Sequence, residues 1–131
     1  MGQTNQVGSD PVETGFKVTD KITDVYKDFR NVMEITARGL WAMVKYAKGA
    51  CVSFTTRKVL EYAECGSLAT PVVLTLVRHI LLQLHANGYL QVDESRSVRK
   101  YVVCKGSTLW HVAKNGDGPE DVFAFIEKEV E

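Results

Sequence analysis

Residues 70–88 carry the clearest helix signals in the sequence. Thr70 can cap the first turn, and Pro71 follows at the first helical position, where its missing N–H is not needed. Asn87-Gly88 closes the segment with a residue pair that favours a left-handed helix end. The apolar side chains recur at steps of three and four and define one buried face: Val73, Leu76, Val77, Ile80, Leu81 and Leu84. Any fold of this chain has to cover that face.

Two predicted strands follow this helix directly. Residues 89–92 and 98–104 are rich in β-branched and aromatic side chains. Residues 93–97 between them form a polar turn, so the two strands make a hairpin. Its turn is basic, because arginine and lysine side chains lie in it and just after it.

Helical periodicity also begins near residue 20, where apolar side chains recur at steps of three and four. The pattern allows one helix to about Lys48, or two helices with a break near residues 35–39. The break is favoured, because Thr36 can cap a new helix. In addition, Gly39 costs about 1 kcal/mol relative to Ala in a helix interior.

Two further short elements precede the helix at 70–88. Residues 50–54 are β-branched and aromatic and predict a strand of three or four residues. Residues 57–64 predict a helix that is capped by Thr55 or Thr56.

The two ends of the chain differ in character. Ser107 can cap a short helix that ends near Lys114, and Pro119 then opens a last amphipathic helix. Residues 1–18 are rich in Gly, Ser, Thr, Gln and Asn and show no periodicity. They are predicted to form a disordered tail.

Together these elements predict a mainly α fold with a small β-hairpin (α+β). Their order, from residue 36 on, is helix, short strand, helix, turn, helix and a hairpin with a basic turn. This order resembles the winged helix-turn-helix DNA-binding family, on residues 55–103, TTRKVLEYAECGSLATPVVLTLVRHILLQLHANGYLQVDESRSVRKYVV. The most specific piece is LHANGYL, since family members often end the recognition helix with a Gly before the wing. The resemblance implies one winged-helix domain at 19–131, with a core at 36–105 and extra helices at 20–34 and 119–131.

The charges of the chain are unevenly distributed, although 16 basic and 16 acidic side chains cancel. The net charge is −2 for residues 1–34, +7 for residues 35–115 and −5 for residues 116–131. Electrostatic interactions in physiological salt extend only about 8–10 Å. A nucleic acid would therefore respond to the basic middle region, although chance segregation of solvated charges gives the same distribution.

The resemblance implies that the third helix enters the major groove of DNA. On residues 71–87, the face opposite the apolar one carries Thr75 and Arg78, with His79 beside it, and also Leu82. Arg78 could bind guanine or a phosphate. The face has few polar groups, which suits weakly selective binding.

The resemblance also implies that the hairpin, as the wing, contacts the backbone or the minor groove. Arg96, Arg99 and Lys100 lie within five residues, and strand alternation places Arg99 on the same face as Tyr101. Arg57 and Lys58 add charge at the start of the second helix, where a phosphate could bind. The predicted DNA contacts are thus Arg57, Lys58, Thr75, Arg78, His79, Arg96, Arg99 and Lys100. The alternative is that the basic wing only protects a sheet edge from aggregation.

The predicted function is a small transcriptional regulator that binds double-stranded DNA. The alternative is a winged-helix module for protein–protein contact, which the exposed Leu82 favours. The flanking amphipathic helices predict a homodimer, because such extensions often build dimers in this family. Its candidate anchors are the large aromatic side chains Phe29, Trp41, Phe123 and Phe125. Otherwise these helices pack on their own core.

Other classes of protein are not indicated. The chain lacks phosphate-binding, dinucleotide-binding and zinc-protease motifs, so we expect no enzyme, no catalytic residue and no cofactor. Three histidines and three cysteines have no metal-site spacing, so we expect no metal, and the cysteines are expected to be unpaired thiols. Without an apolar run long enough to span a bilayer, or a signal peptide, we expect no membrane partner. The expected location is the cytoplasm, or the nucleoid in a prokaryote.

Overall fold

The computed structural model describes the backbone of residues 18–130 and the side chains of residues 28–130. This part contains five α-helices and a three-stranded antiparallel sheet, which confirms the mainly α prediction. The helices are α1 (Val18–Lys45), α2 (Thr56–Tyr62), α3 (Pro71–Ala86), α4 (Thr108–Asn115) and α5 (Pro119–Val130), and the strands are β1 (Cys51–Phe54), β2 (Gln91–Asp93) and β3 (Lys100–Cys104). None of the described helices combines the length and the apolar character needed to cross a membrane.

The chain divides into two compact units between Arg30 and Asn31. Within the first unit, the described structure is the part of α1 that ends at Arg30. The second unit holds the rest of α1, the sheet and the other four helices. The predicted tail at 1–18 lies outside the described residues, except for Val18, at which α1 begins.

The favoured break near residues 35–39 is wrong, because α1 is continuous across it. Thr36 does not cap a helix. It is fully buried, and its hydroxyl donates to the carbonyl of Val32 one turn earlier, at 2.7 Å. Gly39 is also inside the helix, and a side chain there would collide with the backbone of Val59 in α2. Its lack of a Cβ lets the two helices lie close together.

The sheet has the strand order β1-β3-β2, so the predicted hairpin gains a third strand. In the register of β1 and β3, Cys51 lies opposite Cys104, and the two residues form a disulfide. The expectation of three unpaired thiols is therefore wrong, and Cys65 alone is free. The reason is long-range pairing of strands, which brings together cysteines separated by 53 positions.

Three of the predicted helix caps are confirmed, whereas Thr36 is not a cap. Thr55, Thr70 and Ser107 each accept a hydrogen bond from the backbone N–H three residues later. α3 ends where Gly88, at φ 87°, lets the N–H of Tyr89 reach the carbonyl of Leu84 at 2.9 Å. This geometry turns the chain directly into β2.

The core of the second unit lies between the helices and one face of the sheet. Its largest fully buried side chains are Met33, Leu40, Val44, Val59, Leu60, Val77, Ile80, Leu81, Leu84, Tyr101, Leu109 and Ile126. α5 packs against α3 and α4. Lys114 of α4 donates to the carbonyls of Lys45 and Ala47 at 3.2 Å, where a cation offsets the helix dipole at the end of α1.

Candidate nucleic-acid interface

An open concavity of about 570 Å³ lies between the start of α2, the middle of α3 and the turn that joins β2 to β3. Arg78 of α3 and Arg96 and Arg99 of the turn line it. The rest of its lining is Thr55, Thr56, Glu94, Ser97, Val98 and Tyr101. Three arginines from two separate segments therefore surround one space, with a single carboxylate among them.

The packing of α3 determines the position of Arg78. Thr70 caps the helix by accepting from the N–H of Val73, and Pro71 occupies the first turn. Val77 and Leu81 are fully buried, whereas Arg78, one position after Val77, is exposed at the edge of that buried face. Because the buried face is anchored in the core, the helix holds Arg78 at the side that lines the concavity.

Hydrogen bonds within the turn position Arg96. One carboxylate oxygen of Asp93 accepts from the N–H of Ser95 at 2.9 Å and from its hydroxyl at 2.6 Å. These bonds lower the pKa of Asp93, and the charges of Arg96 and Lys100 lower it further. The carboxylate is therefore ionised near neutral pH and holds the turn that presents Arg96.

Arg99 lies between two oxygen-bearing side chains. The nearby Tyr101 hydroxyl and then the Glu94 carboxylate raise the pKa of Arg99, which keeps the guanidinium charged. The ion pair with Glu94 is long, at 3.7 Å, and both side chains are substantially exposed. Such a pair contributes little stability and can open at low cost.

Tyr101 is the most buried member of the lining, at 1% exposure. Its ring stacks on Phe54 at a centroid distance of 6.0 Å. Its hydroxyl oxygen lies close enough to the Arg99 guanidinium to interact with it, but no described residue accepts the hydroxyl hydrogen. Sequence reasoning did not single out Tyr101 as a site residue, although strand alternation placed it on the same face as Arg99.

The other predicted DNA contacts lie outside the lining of this concavity. Lys58 pairs with Glu61 at 3.1 Å, and the hydroxyl of Thr75 donates to the carbonyl of Pro71. Arg57 and His79 are exposed on their helices. Lys100 is exposed and alternates with the buried Tyr101 along β3, so it belongs to the other face of the strand. Leu82, expected on the outward face of α3, is half-buried.

The aromatic candidates for a dimer interface are placed as follows. Phe125 meets Tyr89 edge to face at 4.8 Å, and α5 buries Val122 and Ile126 in its own chain. Half-buried Phe123 lines a shallow concavity of about 150 Å³ with Glu34 and Arg38. Trp41 is half-buried and meets Tyr46 edge to face at 6.3 Å, and Phe29 is half-buried in the first unit.

The described residues bring together no group of three His, Cys, Asp or Glu side chains suited to hold a metal ion. Comparison with known proteins adds no further constraint, since no family model, no curated protein and no solved structure matches the chain.

Proposed function

We propose that this protein binds double-stranded DNA through α3 and the β2–β3 turn, as a small transcriptional regulator of winged helix-turn-helix type. The order of α1, β1, α2, α3 and the hairpin is the order on which the resemblance to that family rests. The observation that carries the proposal is the convergence of Arg78, Arg96 and Arg99 on one open concavity. Arginine is the side chain best suited to bind phosphate in two-point contacts.

The composition of the surface favours backbone contact over base reading. On α3, Arg78 is the only arginine or lysine, and Val72 in the first turn is 71% exposed. Contacts to phosphates carry no sequence information by themselves. We therefore expect salt-sensitive binding with weak sequence preference.

The test is the affinity for a fluorescently labelled duplex, measured by anisotropy at several salt concentrations. Each phosphate neutralised contributes about −0.9 to the slope of log K against log salt concentration. Replacing both Arg96 and Arg99 by Ala should weaken binding to all duplexes and make the slope less negative by about 2. Arg78→Ala should also reduce any sequence preference.

Matched controls remove the same charge elsewhere. Lys48 and Lys128 are exposed and lie outside the concavity. Replacing both by Ala should change affinity much less than the arginine double variant. If the two double variants behave alike, or if the protein shows no salt-sensitive binding, the DNA proposal is wrong.

The second candidate function is a module that contacts another protein. Exposed apolar side chains favour it, because Leu68 is 44% exposed in the turn before α3 and Val72 follows it. Large exposed apolar side chains that are near each other in the chain are one mark of an interaction surface. If a variant with Leu68→Ser and Val72→Ser binds the duplex as the parent does, this apolar surface is not needed for DNA binding. If the parent does not bind the duplex, the protein-contact function is favoured.

The proposal includes a homodimer that places two copies of α3 about 34 Å apart, one turn of DNA. α5 uses its apolar face within its own chain, so Phe29 and Trp41 of α1 are the better candidate anchors. Light scattering should give twice the 14.6 kDa chain mass at micromolar concentration. A monomer would mean that the flanking helices serve only their own core.

A further inference from the structure

We propose that the arginine-lined concavity binds a single phosphate group. The hydroxyl of Tyr101, the most buried residue of the lining, donates a hydrogen bond to a phosphate oxygen. The phosphate group can come from the backbone of a DNA duplex, and for that source the inference rests on the proposed function. A free phosphate has the same chemistry and is the other source.

The charge and shape of the lining suit phosphate. Arg78 approaches from α3, whereas Arg96 and Arg99 approach from the turn. Guanidinium groups that arrive from separate elements fit a tetrahedral group with several oxygens better than a planar carboxylate. Thr56 and Ser97 also line the space, and a hydroxyl side chain can donate to a remaining phosphate oxygen.

Glu94 is the only carboxylate in the lining. Its ion pair with Arg99 is 3.7 Å long, and the Glu94 side chain is 65% exposed. A phosphate oxygen can therefore replace the carboxylate at Arg99 while Glu94 turns into solvent. The exchange keeps Arg99 paired and adds the charges of Arg78 and Arg96.

Tyr101 gives the second, independent observation. A buried hydroxyl without a partner is costly, and native proteins rarely leave one unexplained. Tyr101 is fully buried and belongs to this lining, and its hydroxyl oxygen interacts with Arg99, yet no described residue accepts its hydroxyl hydrogen. Arg99 is the neighbour of this hydroxyl and its side chain is 37% exposed, so an anion held by Arg99 would lie beside the unused hydrogen of Tyr101.

The experiment is a titration of the isotopically labelled full chain with inorganic phosphate at constant ionic strength, followed by amide NMR. The amide signals of Thr56, Ser97 and Arg99 should shift together and saturate. Tyr101→Phe should weaken phosphate binding about tenfold, the effect of one hydrogen bond to a charged group. Its thermal stability should change little, because the hydroxyl hydrogen has no acceptor in the free protein and the interaction with Arg99 involves a partly exposed side chain.

Tyr62→Phe is the matched control, since Tyr62 is 48% exposed and lies outside the lining. It should bind phosphate as the parent does. Equal phosphate affinity for Tyr101→Phe and the parent overturns the role of Tyr101. Absence of saturable shifts overturns the site, and equal shifts with acetate overturn the assignment to phosphate.

A second titration with a short duplex identifies the source of the phosphate. If inorganic phosphate competes with the duplex, and Tyr101→Phe weakens both, the concavity binds a backbone phosphate. If phosphate binds in a Tyr101-dependent way but the duplex does not bind, the concavity binds free phosphate, and only the proposed function fails. If the duplex binds while Tyr101→Phe has no effect on either ligand, only the present inference fails.

Discussion

Gly39 lies where α1 crosses α2. A methyl group on its Cα would overlap the carbonyl oxygen of Val59 and lie 2.8 Å from the Cγ1 atom of the same residue. Neither atom can move far, because Val59 is fully buried and part of a helix. The contact therefore sets the distance between two helices of the core, one of which leads into the candidate interface.

Gly39→Ala should lower the free energy of unfolding by about 2 kcal/mol, because overpacking a tight contact outweighs the gain in helix propensity of about 1 kcal/mol. Urea unfolding followed by circular dichroism measures the change. Gly66→Ala is the control, since its nearest neighbour would be the Glu61 side chain at an ordinary 3.7 Å. A more stable Gly39→Ala protein would show that propensity dominates and that the crossing is loose.

The role of a residue could be predicted from the sequence where its partner lies only a few positions away. Thr70 and Gly88 act through hydrogen bonds to residues three to five positions away, so their roles can be recognised in the sequence. Gly39 was misinterpreted as a helix break because its partner, Val59, lies twenty positions further along the chain. Glu64 adopts φ 61° after α2, a conformation that a glycine usually adopts, and no local pattern indicates it.

The strands show the same limit. The hairpin was predicted from its polar turn, and β2 and β3 form it with slightly different ends. The strand at 50–54 was also predicted, but its pairing with β3 has no local signal. Pairing of distant strands depends on tertiary packing, which is why the disulfide between Cys51 and Cys104 was missed.

This disulfide joins the first residue of β1 to the last residue of β3, so it encloses α2, α3 and the hairpin in one covalent loop. A cross-link over 53 positions lowers the conformational entropy of the unfolded chain. In the chain-entropy model this stabilises the folded state by about 4 kcal/mol. Replacing both Cys51 and Cys104 by Ser should lower the free energy of unfolding by about that amount. Denaturant unfolding under oxidising conditions measures it.

Two control experiments separate the effect of the disulfide on stability from the effect of the substitutions themselves. Cys65→Ser should leave stability nearly unchanged, because Cys65 is the free cysteine. A reductant should destabilise the parent protein and leave the double serine variant unaffected. Equal stability of oxidised and reduced parent would show that the sheet gains nothing from the bond.

The candidate interface depends on how the whole chain brings charges together. The excess of positive charge in residues 35–115 was evident from the sequence, but which cations converge was not. Lys100 neighbours Arg99 in the sequence, yet only Arg99 lines the concavity with Arg78. Consecutive residues of a strand point to opposite faces, so Lys100 is directed away from Arg99. Arg78 lies twenty-one positions before Arg99, and only the tertiary fold brings the two into one site.

The acidic C-terminal helix offers a test of how far electrostatic repulsion would act on a duplex bound at the candidate interface. Glu129 in α5 contacts Asn87, which lies nine residues beyond Arg78 in α3. Nine residues of helix span about 14 Å, more than the screening length of about 8 Å in physiological salt but less than the roughly 30 Å at 0.01 M. By contrast, Glu94 lies in the lining of the concavity itself, well within the screening length of any group bound there.

Glu94→Gln should therefore raise duplex affinity about threefold in physiological salt and by at least as much in dilute salt, since it removes a carboxylate next to the bound phosphates. Glu129→Gln keeps an oxygen for Asn87 and should leave affinity unchanged in physiological salt, with a gain of up to about twofold at 0.01 M. Anisotropy titrations of both variants at the two salt concentrations measure these changes. If Glu129→Gln matches Glu94→Gln in physiological salt, DNA responds to the net charge of the molecule rather than to the arginine-lined concavity.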